Sequence, residues 1–205
     1  MSIQPVYVMG PSGAGKDSLL AWLVDHWPKQ APWPRVHLAR RTITRAQVPG
    51  GEAHEAVSPA EFDRLLAGGL FALHWQANGQ HYGIRTTELE PPGATDLCVL
   101  VNGSRAHVAQ AVACCPQLVV VHLTAPRALL AQRLQHRQRE GVADIQARLD
   151  RPTALPDMHH LCPGRWWEVT NTGYLDTAGA QVLAALRPVL QATSACAGCP
   201  PPPRG

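Results

Sequence analysis

Near its start the chain reads Val6-Tyr7-Val8-Met9-Gly10-Pro11-Ser12-Gly13-Ala14-Gly15-Lys16-Asp17-Ser18, an apolar strand that passes through a glycine-rich turn into a helix. This segment constrains the fold more than any other, because a strand, a tight turn and a helix in immediate succession open a βα unit. Its glycines let successive backbone N–H groups converge on phosphate oxygens, the helix beginning near Lys16 points its positive end at them, and Lys16 can bridge the β- and γ-phosphates. The expected cradle is Gly10, Pro11, Ser12, Gly13, Ala14, Gly15, Lys16, Asp17 and Ser18. The spacing follows G-x-x-x-x-G-K-S/T except at its last place, where Asp17 replaces the hydroxyl residue that ordinarily ligates Mg²⁺. Either the Asp17 carboxylate or the hydroxyl of Ser18 must then supply that oxygen.

At 205 residues with 45% hydrophobic content, the chain has enough apolar material for one ordinary core. The net charge of +3 includes no lysine-rich tract, which argues against a nucleic-acid or membrane-surface role. Of the 18 basic residues only Lys16 and Lys29 are lysine. Arginine's planar fork suits phosphate oxygens, although a coding bias would give the same excess. The 6 cysteines lack disulfide-scaffold spacing, and the first residues enter a strand without a basic region or an apolar signal core, so a reduced, cytoplasmic setting is expected.

Strand-like and helix-like segments alternate, which predicts an α/β fold: a central, mostly parallel sheet covered by helices. The strands are expected at 4–9, 36–40, 97–102, 118–123 and 167–171, and the helices at 16–27, 58–68, 104–114, 126–140, 143–151 and 175–188. Ser58-Pro59-Ala60-Glu61 has capping-box spacing with proline at the first helical position. Residues 70–75 and 80–84 read as a small hairpin that interrupts the alternation. It falls within a substrate-holding lobe over about 40–90. The proline-rich residues 193–205 read as a disordered tail, leaving 1–192 as the folded domain.

Beyond the cradle come Arg40-Arg41-Thr42-Ile43-Thr44-Arg45, then Gly50-Gly51-Glu52, Gly69 and Phe71, Tyr82-Gly83, Val101-Asn102-Gly103-Ser104-Arg105 and Leu123-Thr124-Ala125. Arg133-Leu134 with Arg137 and Arg139-Glu140, Ile145, Ala147-Arg148-Leu149, and Asn171 follow. In order and spacing this resembles the guanylate kinase superfamily, and more specifically the ribose 1,5-bisphosphate phosphokinases. The likeness covers the chain to about residue 190.

The resemblance implies a P-loop, three-layer guanylate kinase-like fold, ATP as co-substrate with Mg²⁺, and Lys16, Arg133 and Arg137 as catalytic residues, with an arginine-bearing lid over about 133–150. It places Asn171 with the nucleotide, and Arg41, Arg45, Glu52, Tyr82, Asn102 and Arg148 with the substrate, a small sugar phosphate. Arg45 and Tyr82 match positions that hold the acceptor's phosphate in guanylate kinases, and Asn102 stands where those enzymes have an aspartate. Two departures separate the families. Leu73 occupies the place of the glutamate that reads guanine, and Ala53-His54-Glu55-Ala56-Val57 is too short for the aromatic-rich insert. A leucine cannot accept the hydrogen bonds that a guanine edge donates, at about 1–3 kcal/mol for each unpaired donor. The implied reaction is phosphorylation of ribose 1,5-bisphosphate at its 1-phosphate, in phosphonate breakdown and phosphoribosyl diphosphate supply. A nucleoside monophosphate kinase and a non-catalytic guanylate kinase-like module are the alternatives, and the homodimeric state is left open.

Overall fold

The computed structural model describes residues 3–30, 33–47, 52–136 and 155–196. The expected helix at 143–151 and most of the expected lid lie outside them. Five parallel strands build the main sheet in the order β2-β7-β1-β8-β9. These are β1 (Ile3–Met9), β2 (Arg35–Leu38), β7 (Leu97–Asn102), β8 (Val119–Thr124) and β9 (Trp166–Thr170). The three central strands are covered on both faces and therefore read as nearly continuous apolar runs.

Alternation within the strands divides the core in two. Val6, Val8, Leu100, Val119, Val121 and Leu123 face one way. There they meet α1 (Lys16–Asp25) and the last helix, α7 (Leu175–Cys196). Tyr7, Met9, Val99, Val101 and Val120 face the other way, towards the lobe and α4 (Val108–Cys114), which a short 3₁₀ turn at Arg105–His107 precedes. Trp166 and Trp167 likewise pack on opposite faces.

The lobe is a second sheet ordered β4-β3-β6-β5. It comprises β3 (Arg41–Ile43), β4 (Glu55–Ala56), β5 (Phe71–Ala77) and β6 (Gln80–Arg85), with α2 (Pro59–Ala67) leading into it and the single turn α3 (Thr86–Leu89) leading out. The expected hairpin is β5 and β6. Its turn is Asn78-Gly79, with φ of 51° and 71°, the two positive values a type I′ turn requires. As its spacing predicts, Ser58 caps α2, its Oγ accepting from the Glu61 N–H at 3.1 Å.

Three boundaries differ from the sequence expectation. The segment 104–114 splits into the 3₁₀ turn and α4, because Ser104 is tied to the Tyr7 hydroxyl before the helix begins. The short strands β3 and β4 were not foreseen; three and two residues are too few for period-two alternation to register. The last helix continues past 188 to Cys196, beyond residue 193 where the tail was expected, while Leu186 and Leu190 keep burying against α1's face of the sheet. A short helix, α6 (Met158–Leu161), capped by Asp157, also packs under the sheet.

Candidate functional site

Gly10, Gly13 and Gly15 have φ of 157°, 85° and 93°. A Cβ at Gly10 would stand 2.1 Å from the Leu123 carbonyl oxygen, and one at Gly15 would stand 2.8 Å from Asn171 Nδ2. The turn therefore lies tight against β8 and the loop after β9, and no larger residue fits there. Lys16 Nζ donates to the carbonyls of Gly10 and Pro11 at 2.9 and 3.2 Å, folding over the turn it closes. Arg133, on α5 (Arg127–His136), donates from Nη1 to the carbonyls of Gly13 and Ala14 at 3.2 and 3.3 Å. Asn171 completes the arrangement: its Nδ2 donates to Ala14 at 2.9 Å, and its Oδ1 accepts from the Gly173 N–H at 3.0 Å. Beside these groups a cavity of about 550 Å³ is lined by Gly13, Gly15, Ser18, Arg133, Asn171 and Gly173 among others, room for a nucleotide.

At the start of α1, Asp17 and Ser18 are exposed. Asp17 Oδ1 accepts from Asn102 Nδ2 at 2.5 Å, so the Asn102 side chain turns to the phosphate loop and only its carbonyl faces the lobe, where Arg41 Nη1 approaches at 3.4 Å. Asn102 is 3% exposed, and its Oδ1 is buried with no hydrogen-bond partner. Asp17 and Ser18 thus bring a carboxylate and a hydroxyl to the exposed start of α1, oxygen groups of the hard type that suits Mg²⁺.

On the acceptor side, Arg41 Nε donates to Glu52 Oε1 at 2.6 Å and its Nη2 pairs with Glu52 Oε2, a bidentate fork that offsets its charge. The same guanidinium lies 5.2 Å from the centre of the Tyr82 ring, which stacks on Trp75. Tyr82 is thus a packed ring with a guanidinium over its face. Arg45 is held only through its backbone. His54, 2% exposed, places Nδ1 2.9 Å from the Glu52 carbonyl oxygen and Nε2 2.9 Å from that of Arg45, stitching the loop together. His54 is a buried staple of this loop. Leu73 is 5% exposed within the apolar cluster, and beside it a groove of about 200 Å³ opens between β5 and α4. Its wall includes Leu73 and Trp75 together with His74, His107 and Gln110. Arg137 and Arg148 lie outside the described residues.

No family model matches the chain. The ribose 1,5-bisphosphate phosphokinase PhnN of Pseudomonas fluorescens is 48% identical over 151 residues, which span 71% of this chain and 74% of that protein. Its counterpart in Burkholderia mallei is 42% identical over 183 residues, 88% of this chain and 94% of the other. The chain belongs to the ribose 1,5-bisphosphate phosphokinase family. A bifunctional ribose 1,5-bisphosphokinase-thymidine phosphorylase of Azorhizobium caulinodans is 50% identical over 147 residues, and this chain spans 20% of its length. Among solved structures, the guanylate kinase of Anaplasma phagocytophilum superposes with a TM-score of 0.63 at 16% identity, covering 91% of this chain and 86% of its own, which establishes the fold as guanylate kinase-like.

Two polar residues near the site escaped sequence reasoning. His122 is 7% exposed on β8 and shares the sheet face of Met9; its Nδ1 lies 3.1 Å from Glu168 Oε2 while Nε2 is buried without a partner. Burial, as the largest cause, lowers its pKa below the ordinary 6.5 against the raising effect of Glu168, and the positive charges of Arg105 and Lys16 lower it further. A lone histidine inside the apolar run Val119-Val120-Val121-His122-Leu123 was the available signal. Arg105, in the 3₁₀ turn after β7, is the second.

Proposed function

We propose that the chain transfers the γ-phosphoryl group of ATP to the 1-phosphate of ribose 1,5-bisphosphate, giving 5-phosphoribosyl 1-diphosphate and ADP. The observation that carries this reading is the pairing of an intact phosphate loop with an acceptor lobe whose base-reading place is apolar at Leu73, in a chain of this family. An oxygen of the 1-phosphate attacks the γ-phosphorus, and the bond to the ADP oxygen breaks. A phosphomonoester has its second pKa near about 6, so the attacking group is already largely dianionic at neutral pH and no general base is required.

The demand on the protein is electrostatic and geometric, because two polyanions must be held in line. Lys16 is placed to exchange the carbonyls of Gly10 and Pro11 for phosphate oxygens, and Arg133 spans the loop from the opposite side. Asn171 fixes the Ala14 peptide and so the set of the loop. Arg45 and Tyr82 hold the acceptor's reacting phosphate, with Arg41 set on the Tyr82 ring by Glu52. Asp17, with Ser18, would hold Mg²⁺, which when bound neutralises charge on the phosphates. On the family resemblance, Arg137 and Arg148 would add positive charge against the phosphates.

The test is ADP release with matched Mg-ATP and a panel of acceptors. The expected kcat/KM for ribose 1,5-bisphosphate exceeds that for GMP by at least about a hundredfold, roughly 2.7 kcal/mol. Equal or better turnover of GMP would make the chain a guanylate kinase, and ATP binding without turnover of any acceptor would make it a binding module.

A further inference from the structure

Most of the arginines around the cleft are engaged: Arg41 with Glu52, Arg85 with Glu55, Arg133 with the phosphate loop. Arg105 is not. Its side chain makes no hydrogen bond or ion pair with the described residues, although the residue is only partly exposed and burial already works against its charge. A guanidinium cannot shed its proton to escape such a place; an anion from outside is what offsets it.

Its position follows from its neighbours. Strand β7 ends at Asn102, whose side chain holds Asp17 of the phosphate loop and whose carbonyl receives Arg41 of the lobe, so the chain leaves the sheet where the donor and acceptor sides meet. Two residues on, the Ser104 backbone is pinned to the Tyr7 hydroxyl, its N–H donating at 2.8 Å and its carbonyl accepting at 3.1 Å. That anchor fixes the turn from which Arg105 projects. Arg45 and Tyr82 are already committed to the reacting phosphate, which leaves the Arg105 charge unassigned.

We propose that Arg105 is the subsite for the second, non-reacting phosphate of the acceptor, and hence the residue that makes the site select a bisphosphate over a monophosphate. This rests on the reading of the acceptor given above. A guanidinium takes two phosphate oxygens at once, so it fixes orientation as well as affinity. Where a guanylate kinase gains specificity from hydrogen bonds to a base, this chain would gain it from one ion pair, whose binding energy positions the reacting end.

The experiment compares ribose 1,5-bisphosphate with ribose 1-phosphate as acceptors for the wild type, Arg105→Gln and Arg105→Lys, with thermal unfolding of each variant recorded. The expected result is that the ratio of kcat/KM between the two acceptors falls at least tenfold in Arg105→Gln and recovers in part in Arg105→Lys, while KM for ATP stays within about twofold. An unchanged ratio, or a loss of equal size on both acceptors, overturns the proposal. If the wild type turns over neither acceptor, the functional reading has failed on its own. The subsite is then decided by calorimetric titration with inorganic pyrophosphate, where weaker binding by Arg105→Gln supports it and equal binding overturns it.

Discussion

The donor and acceptor sides of the cleft are built on different principles. Around the phosphate loop the polar side chains are turned onto the loop's own backbone: Lys16 on Gly10 and Pro11, Arg133 on Gly13 and Ala14, Asn171 on Ala14. These bonds hold the loop in shape, and on the proposed reading phosphate oxygens replace the carbonyls as partners. On the acceptor side one cation, Arg41, is neutralised by Glu52, whereas among the described residues the Arg45 Nε is buried without a partner and the Arg105 side chain meets no carboxylate. The difference separates a site that is preorganised by internal hydrogen bonds from one that is poised by uncompensated charge.

Removing the donor side's charge should have the largest effect. Lys16→Ala is expected to lower kcat by about a hundredfold or more, because the ammonium acts where negative charge spreads in the transition state. Circular dichroism should show an intact fold, since the Lys16 bonds to the Gly10 and Pro11 carbonyls stay within the turn rather than tying it to the core. Transfer above about a tenth of wild type would mean that the preorganised side is not the catalytic one.

A smaller effect is expected at the junction of the two sides. Asp17→Asn keeps a group that can pair with Asn102 but loses the carboxylate, so the Mg²⁺ concentration for half-maximal activity should rise severalfold to about tenfold, a hard cation preferring a charged oxygen. An unchanged Mg²⁺ titration would shift the ligand role to Ser18.

The smallest effect concerns the frame of the acceptor lobe. Glu55 on β4 accepts from Arg85 on β6 at 2.7 and 2.8 Å and from Thr42 on β3 at 2.7 Å, tying three strands together. The Arg85 hydrogen bonds, as the largest cause, hold its carboxyl below the ordinary 4.5 against the opposing effect of burial. A lowered folded-state pKa stabilises the fold above the unfolded value and loses that contribution as pH falls through the folded one. Glu55→Gln should therefore cost about 1 kcal/mol in urea unfolding at pH 7. The difference from wild type should shrink below pH 4.5 as the wild-type carboxyl takes up its proton. A penalty independent of pH would assign the loss to packing instead.

The phosphate loop, the capped start of α2, the hairpin and the alternation that makes a parallel sheet were legible in the sequence, because each depends on residues close together in the chain. Glycine spacing dictates where backbone can approach a phosphate, and period-two apolar runs dictate which strands are buried on both faces. The apolar character of the base-reading place could likewise be read from Leu73 alone. Tertiary structure decided the partners of the charges. That Arg41 is neutralised by Glu52, that Asn102 turns to Asp17 across 85 residues of sequence, and that Arg105 meets no carboxylate among the described residues all depend on where separate strands end relative to one another. Residue type says what charge a side chain carries; whether that charge is offset depends on which groups the fold brings within hydrogen-bond reach, and at the mouth of this cleft those come from strands far apart in the chain.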